Sequence, residues 1–211
     1  MNVLTEEQLL DNLNRFYDII KKHIVSDRKD QLLDMYKDLE DTLVVAPAST
    51  KKTYHNAFIG GFVDHTIRVV EFAMIFDKVW DRLGQRKDYS QEELVFSAIN
   101  HDLGKMGYKD QPHYLPNDSD WHVKQGFYFK YNSAIPHMRV ADRSLYLLQK
   151  YGIQVSDTEY LAIKLHDGIY EEANKAYYMA SSDHQIKSNL PYILHQADLT
   201  ATRLEQQKLA I

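Results

Sequence analysis

Apolar residues at helical spacing, broken at a few points by histidine or aspartate, constrain this chain more than any other feature. Over 59–83 the residues Phe62, Val69, Phe72, Phe76, Val79 and Trp80 share one stripe of a 3.6-residue period. His65 sits three after Phe62 and four before Val69, on that same stripe. Over 91–102, Leu94, Val95 and Ala98 lead, three and four residues on, to His101 and Asp102. His137 precedes Ala141 by four, with Leu145 and Leu148 continuing its face. His166 follows Ala162 by four and Ile163 by three, and Asp198 follows Leu194 by four and precedes Ala201 by three.

The other local signals agree with an all-α fold. Thr5…Gln8, Ser90…Glu93 and Ser156…Glu159 each fit the capping box, in which two side chains satisfy free amides at a helix start. Helices are predicted over roughly 5–23, 27–42, 59–83, 91–102, 137–151, 157–167 and 190–207. The segment "TLVVAPAS" (42–49) is short and holds Pro47, which makes it a connector and not a strand. Two stretches resist the helical pattern, the aromatic-rich 106–136 and the polar, tyrosine-rich 168–189. Loops of that length in a domain are usually binding segments or lids. The expectation is one domain over 1–211, with supporting helices in 1–50.

Composition narrows the classes. The chain of 211 residues has 44% hydrophobic and 26% charged residues and no cysteine, which removes disulfides and thiolate zinc sites. A net charge of −5 speaks against coating duplex nucleic acid, though not against handling a single nucleotide or a strand end. No signal peptide and no membrane-spanning run is visible, so the expectation is a cytoplasmic protein that does not engage a membrane.

One buried histidine is most often a hydrogen-bonded core residue, and one aspartate a cap or half of an ion pair. A set of them is different. Burying His65, His101, Asp102, His137, His166 and Asp198 separately costs several kcal/mol each unless each is paired or bound to a metal. A shared cation satisfies them together.

The residues that carry this pattern also carry a resemblance. His65, then His101-Asp102, then Asp198 resembles the H…HD…D signature of the HD-domain metal-dependent phosphohydrolases. "GGFVDHTIRVVEFA" (60–73), "AINHDLGK" (98–105) and "YILHQADLTATRLE" (192–205) resemble that superfamily's first, second and last motifs. The resemblance covers about residues 53–207. It implies an HD-type helical bundle that hydrolyses phosphate esters with metal-activated water. His137 and His166 fall where binuclear members insert two further histidines, which implies one or two ions with Asp102 bridging. Imidazole-rich ligation favours Mn, Fe, Co, Ni or Zn over Mg.

Lys105 completes an HD-x-G-K pattern, and Gly104 before it reads as a left-handed residue ending the helix. Lys105 is expected to reach a substrate phosphate; its alternative is a solvated lysine at a helix end. Asp64 is a candidate general base or an exposed helix residue. Arg68 either binds phosphate or pairs with Glu71. In the aromatic loop, Trp121, Lys124 and Tyr128 are candidates for stacking on a nucleobase and holding its phosphate, against the plainer reading of a satellite core that clamps the loop. Arg143 is a candidate for positive charge near the site. The expected substrate is a (deoxy)nucleoside mono- or triphosphate. The alternatives are a phosphodiesterase on cyclic dinucleotides or RNA/DNA 3′ ends, and a non-catalytic regulator of the same fold.

Overall fold

The structure is a computed structural model and describes residues 4–180 and 182–208. All three capping boxes form. Thr5 opens α1 (Glu6–His23), Ser90 opens α5 (Gln91–Asn100) and Ser156 opens α8 (Asp157–Leu165), each with both reciprocal hydrogen bonds. The helix expected over 27–42 is broken at Leu39 into α2 (Arg28–Asp38) and α3 (Glu40–Val45). The connector reading of 42–49 holds from Ala46, which turns extended, while Thr42–Val45 finish α3.

The long apolar periods become α4 (Gly61–Arg82) and α10 (Leu190–Lys208), which pack against each other at the centre of the bundle. α5 lies against α4 and α8, and α8 also meets α10. α7 (Val140–Lys150) packs on α8 and on the tight 3₁₀ turn Leu103–Met106 that follows α5. α1 covers α4 and α5, so Phe16, Ile20 and Tyr36 of the N-terminal helices share one core with Phe62, Val69, Phe96, Ile163 and Leu194. Phe62 and Val69 are buried as expected and Phe72, Phe76 and Trp80 pack against the core, but Val79 is 45% exposed.

Most of the chain is helical, and among the described residues the strands fall within 107–131. There β1 (Gly107–Tyr108) pairs with β2 (Gln111–Pro112), and β3 (Tyr114–Pro116) pairs with β4 (Phe129–Tyr131), both antiparallel. Between them lies the short α6 (Asp120–Lys124). This loop folds back on 50–52, where Lys52 N donates to Gly126 O and the Lys51 ammonium stands 4.3 Å from the Phe127 ring centre. A four-residue helix α9 (Lys175–Tyr178) interrupts the second loop. Among the described residues no helix is long and apolar enough to cross a membrane.

Candidate metal centre

His101 and His166 reach the interior by one device. Each is the residue that closes its helix, α5 or α8, and each ring Nδ1 lies 2.8 Å from the carbonyl three residues back, Ala98 O and Ile163 O. A carbonyl only accepts, so Nδ1 carries the proton and Nε2 is left for the centre. His65, in the first half of α4, is turned the same way by a carboxylate, Nδ1 to Glu205 Oε2 at 3.0 Å. All three imidazoles are buried.

Their Nε2 atoms meet two carboxylates. His65 Nε2 is 3.1 Å from Asp198 Oδ1 and 3.7 Å from Asp102 Oδ2. His101 Nε2 is 3.3 Å from Asp102 Oδ2 and 3.9 Å from Asp198 Oδ1, and His166 Nε2 is 3.5 Å from Asp102 Oδ1. The Nε2 atoms of His65 and His101 are buried without a hydrogen bond of good geometry. Ligands about 2.1 Å from an ion stand about 3.0 Å apart when adjacent and about 4.2 Å when opposite, the spread seen here. Orphaned imidazole nitrogens beside acceptor-only carboxylates fit a divalent cation, and these buried residues can hold one.

The electrostatics follow from the packing. Burial works against every charge in the cluster. Lys105 and His101 nevertheless hold the Asp102 carboxyl well below the usual carboxylate range, and His65 and its neighbours do the same for Asp198. Burial lowers His65 and His166, but Glu205 and Asp198 lift the first to about 10, and Asp167, Asp102 and Asp198 lift the second to about 10. A metal ion binding there would compete with the protons these carboxylates favour on His65 and His166.

Lys105 is largely buried, with Nζ 2.5 Å from Asp102 Oδ2. It lines a cavity of about 310 Å³ together with His55, Asp102, His166, His195, Asp198 and Arg203. Gly104 does not have the left-handed conformation expected of it. It is a glycine for a different reason: an added Cβ would lie 2.2 Å from the Val140 carbonyl of α7.

Several expected site residues lie elsewhere. His137 is exposed, precedes α7 and belongs to none of the ligand groups, because α7 begins at Val140 and the helical period expected from 137 does not apply there. Asp64 does not line the cavity; it accepts from Asn56 Nδ2 at 2.9 Å and pairs with Arg68 at 3.1 Å. Arg68 pairs with Glu205 at 2.9 Å and not with Glu71, which is taken by Arg15. Arg68 therefore braces the carboxylate that orients His65. Trp121 and Lys124 are exposed on α6, and Tyr128 donates its backbone N–H to Thr50 O; none of the three lines the cavity. Arg143 is buried behind Gly104, donating to its carbonyl.

Three residues at the centre were not singled out from sequence. Glu205 lies seven residues, two helical turns, beyond Asp198, so the α10 period contained the signal. His195, three before Asp198, lines the cavity with its Nδ1 2.7 Å from His166 O. Its ring lies so close over Gly168 that an added Cβ would meet it at 2.4 Å. The His55 ring lies tilted against His65 with ring centres 4.6 Å apart and comes from a loop that has no period to read. That loop is pinned where Asn56 takes a φ of 42° and its carbonyl sits where a Cβ on Gly61 would be, 2.1 Å away.

No protein-family model, characterised protein or solved structure matches the chain.

Proposed function

We propose that the protein is an HD-type, metal-dependent phosphohydrolase acting on a small nucleotide, probed best as a (deoxy)nucleoside mono- or triphosphate. The observation that carries this reading is the convergence of His65, His101, Asp102 and Asp198 on one buried point, with His166 beside Asp102. His65, His101, Asp102 and Asp198 would hold the ion, with His166 as a further ligand. A bound divalent ion would supply acidification of a water and neutralisation of charge on the phosphoryl oxygens.

The chain's own residues do the rest. Glu205, Ala98 O and Ile163 O hold the Nδ1 sides of the three rings, which leaves each Nε2 facing the centre. Lys105 presents an ammonium to the cavity, where burial disfavours its charge but Asp102 keeps it protonated. It can neutralise a phosphoryl oxygen as a point charge. A cavity of about 310 Å³ is at the small end of ligand sites and favours a mononucleotide over a polymer.

Phosphodiester hydrolysis is the second reading, favoured by His166, which extends the donor set beyond four residues. The test is a panel of dNMPs, dNTPs, cyclic dinucleotides and short oligonucleotides with Mn²⁺ or Co²⁺, alongside elemental analysis of the purified protein. Turnover that is lost in His101→Ala and Asp102→Ala supports the reading. Metal-free protein without turnover on any phosphate ester would replace it with a non-catalytic role.

A further inference from the structure

Arg143 is the largest fully buried side chain, 1% exposed, and among the described residues no carboxylate pairs with it. The other deeply set cations do have such partners: Arg28 with Glu159, Arg68 with Glu205 and Lys105 with Asp102. Arg143 spends its donors on neutral acceptors. Nη1 donates to Gly104 O at 3.3 Å and to His113 Nδ1 at 2.7 Å, and Nη2 donates to Pro136 O at 2.8 Å. A buried charge without a counter-charge is strongly unfavourable, so the position calls for an anion.

The space for one adjoins it. A cavity of about 590 Å³ is lined by His113, Asn132, Ser133, His137, Arg139 and Arg143 among others, and no carboxylate among the described residues lines it. Arg139 is paired with Glu171 outside the lining, whereas Arg143 meets no carboxylate among the described residues. A guanidinium can only donate, so His113 Nδ1 is the acceptor and its proton is on Nε2. The Arg143 Nε–H is itself buried with no hydrogen-bond partner among the described residues. Burial and Arg143 push the His113 pKa down to about 4, so the ring is a neutral donor at physiological pH. Val140 lines both this cavity and the one at the metal centre.

We propose that this second cavity binds a phosphoryl anion, with the Arg143 guanidinium as its counter-charge and the His113 Nε2–H and Ser133 hydroxyl as donors. The anion is either the distal phosphate of a substrate whose reacting group lies at the metal centre or a separate phosphate-bearing ligand. Its occupancy bears on the centre through Gly104, whose carbonyl Arg143 holds and whose N–H Ser144 Oγ holds at 2.8 Å, one residue before Lys105.

The experiment is calorimetric titration of inorganic phosphate into the full chain in chelator, in a Lys105→Ala background so that the ammonium of the first cavity does not contribute. One saturable site is expected. Its dissociation constant should rise at least tenfold when Ser133→Trp plugs the rim, and likewise in His113→Phe. Ser133 is exposed, so its replacement leaves the fold intact even if His113→Phe does not. No saturable binding, or an affinity unchanged by Ser133→Trp, overturns the proposal. The source of the anion is read from turnover: a raised KM for nucleoside triphosphates in Ser133→Trp marks a distal substrate phosphate, and a phosphate-dependent kcat marks a separate ligand. The binding arm needs neither metal nor turnover, so this site and the hydrolase reading fail separately.

Discussion

Glu205 accepts the Nδ1–H of His65 at 3.0 Å while its other oxygen takes the Nε–H of Arg68 at 2.9 Å. The carboxylate is buried, so it has no water to turn to and holds the ring in one tautomer. Partners of this kind are worth about 10–100-fold in metal affinity. Glu205→Gln is expected to weaken Mn²⁺ or Zn²⁺ binding by that order, measured by competition with a chelator, with the helical content unchanged.

His166 and His137 separate cleanly. His166 Nε2 lies 3.5 Å from Asp102, and His137 lies outside the centre. His166→Ala should lower metal content or affinity, and His137→Ala should leave both as in the parent protein. Elemental analysis of the two variants reads the difference; an ion lost from His137→Ala would contradict the arrangement.

Gly104 packs its Cα against backbone. An alanine there puts Cβ 2.2 Å from the Val140 carbonyl, which cannot swing aside as a flexible side chain would. Gly104→Ala should cost about 1–3 kcal/mol through overpacking, read from the urea midpoint.

His113 makes stability depend on acid. Its folded pKa of about 4 lies below the ordinary 6.5, so the unfolded chain binds more protons between those values. Stability is full above pH 6.5 and falls as the pH drops towards 4, by about 3 kcal/mol at most. His113→Gln keeps an acceptor for Arg143 without a titrating ring, and its unfolding midpoint should fall less between pH 7 and pH 4.5.

Arg28 ties α2 to α5 and α8 through Glu92 at 3.0 Å and the fully buried Glu159 at 2.6 Å. Arg28→Ala strands those carboxylates and should cost about 3–5 kcal/mol. Removing the exposed Arg15, paired with Glu71, should change stability by less than about 1 kcal/mol. Parallel denaturation curves distinguish the two.

Much of this molecule was legible along the chain. The capping boxes at Thr5, Ser90 and Ser156 placed three helix starts, and the apolar periods turned His65, His101, Asp102, His166 and Asp198 inward, because both signals reside within a few turns of one helix. His137 shows the limit: its spacing to Ala141 has meaning only if the helix extends back to it, and the helix begins at Val140. Arg143 and Glu205 show what spacing never carries. Whether an inward side chain meets a carboxylate, a carbonyl or a cavity is decided by another segment: α4 beside α10 for Glu205, and the hairpin loop beside α7 for Arg143. Local period sets the direction of a side chain; only the packing of distant segments sets its partner.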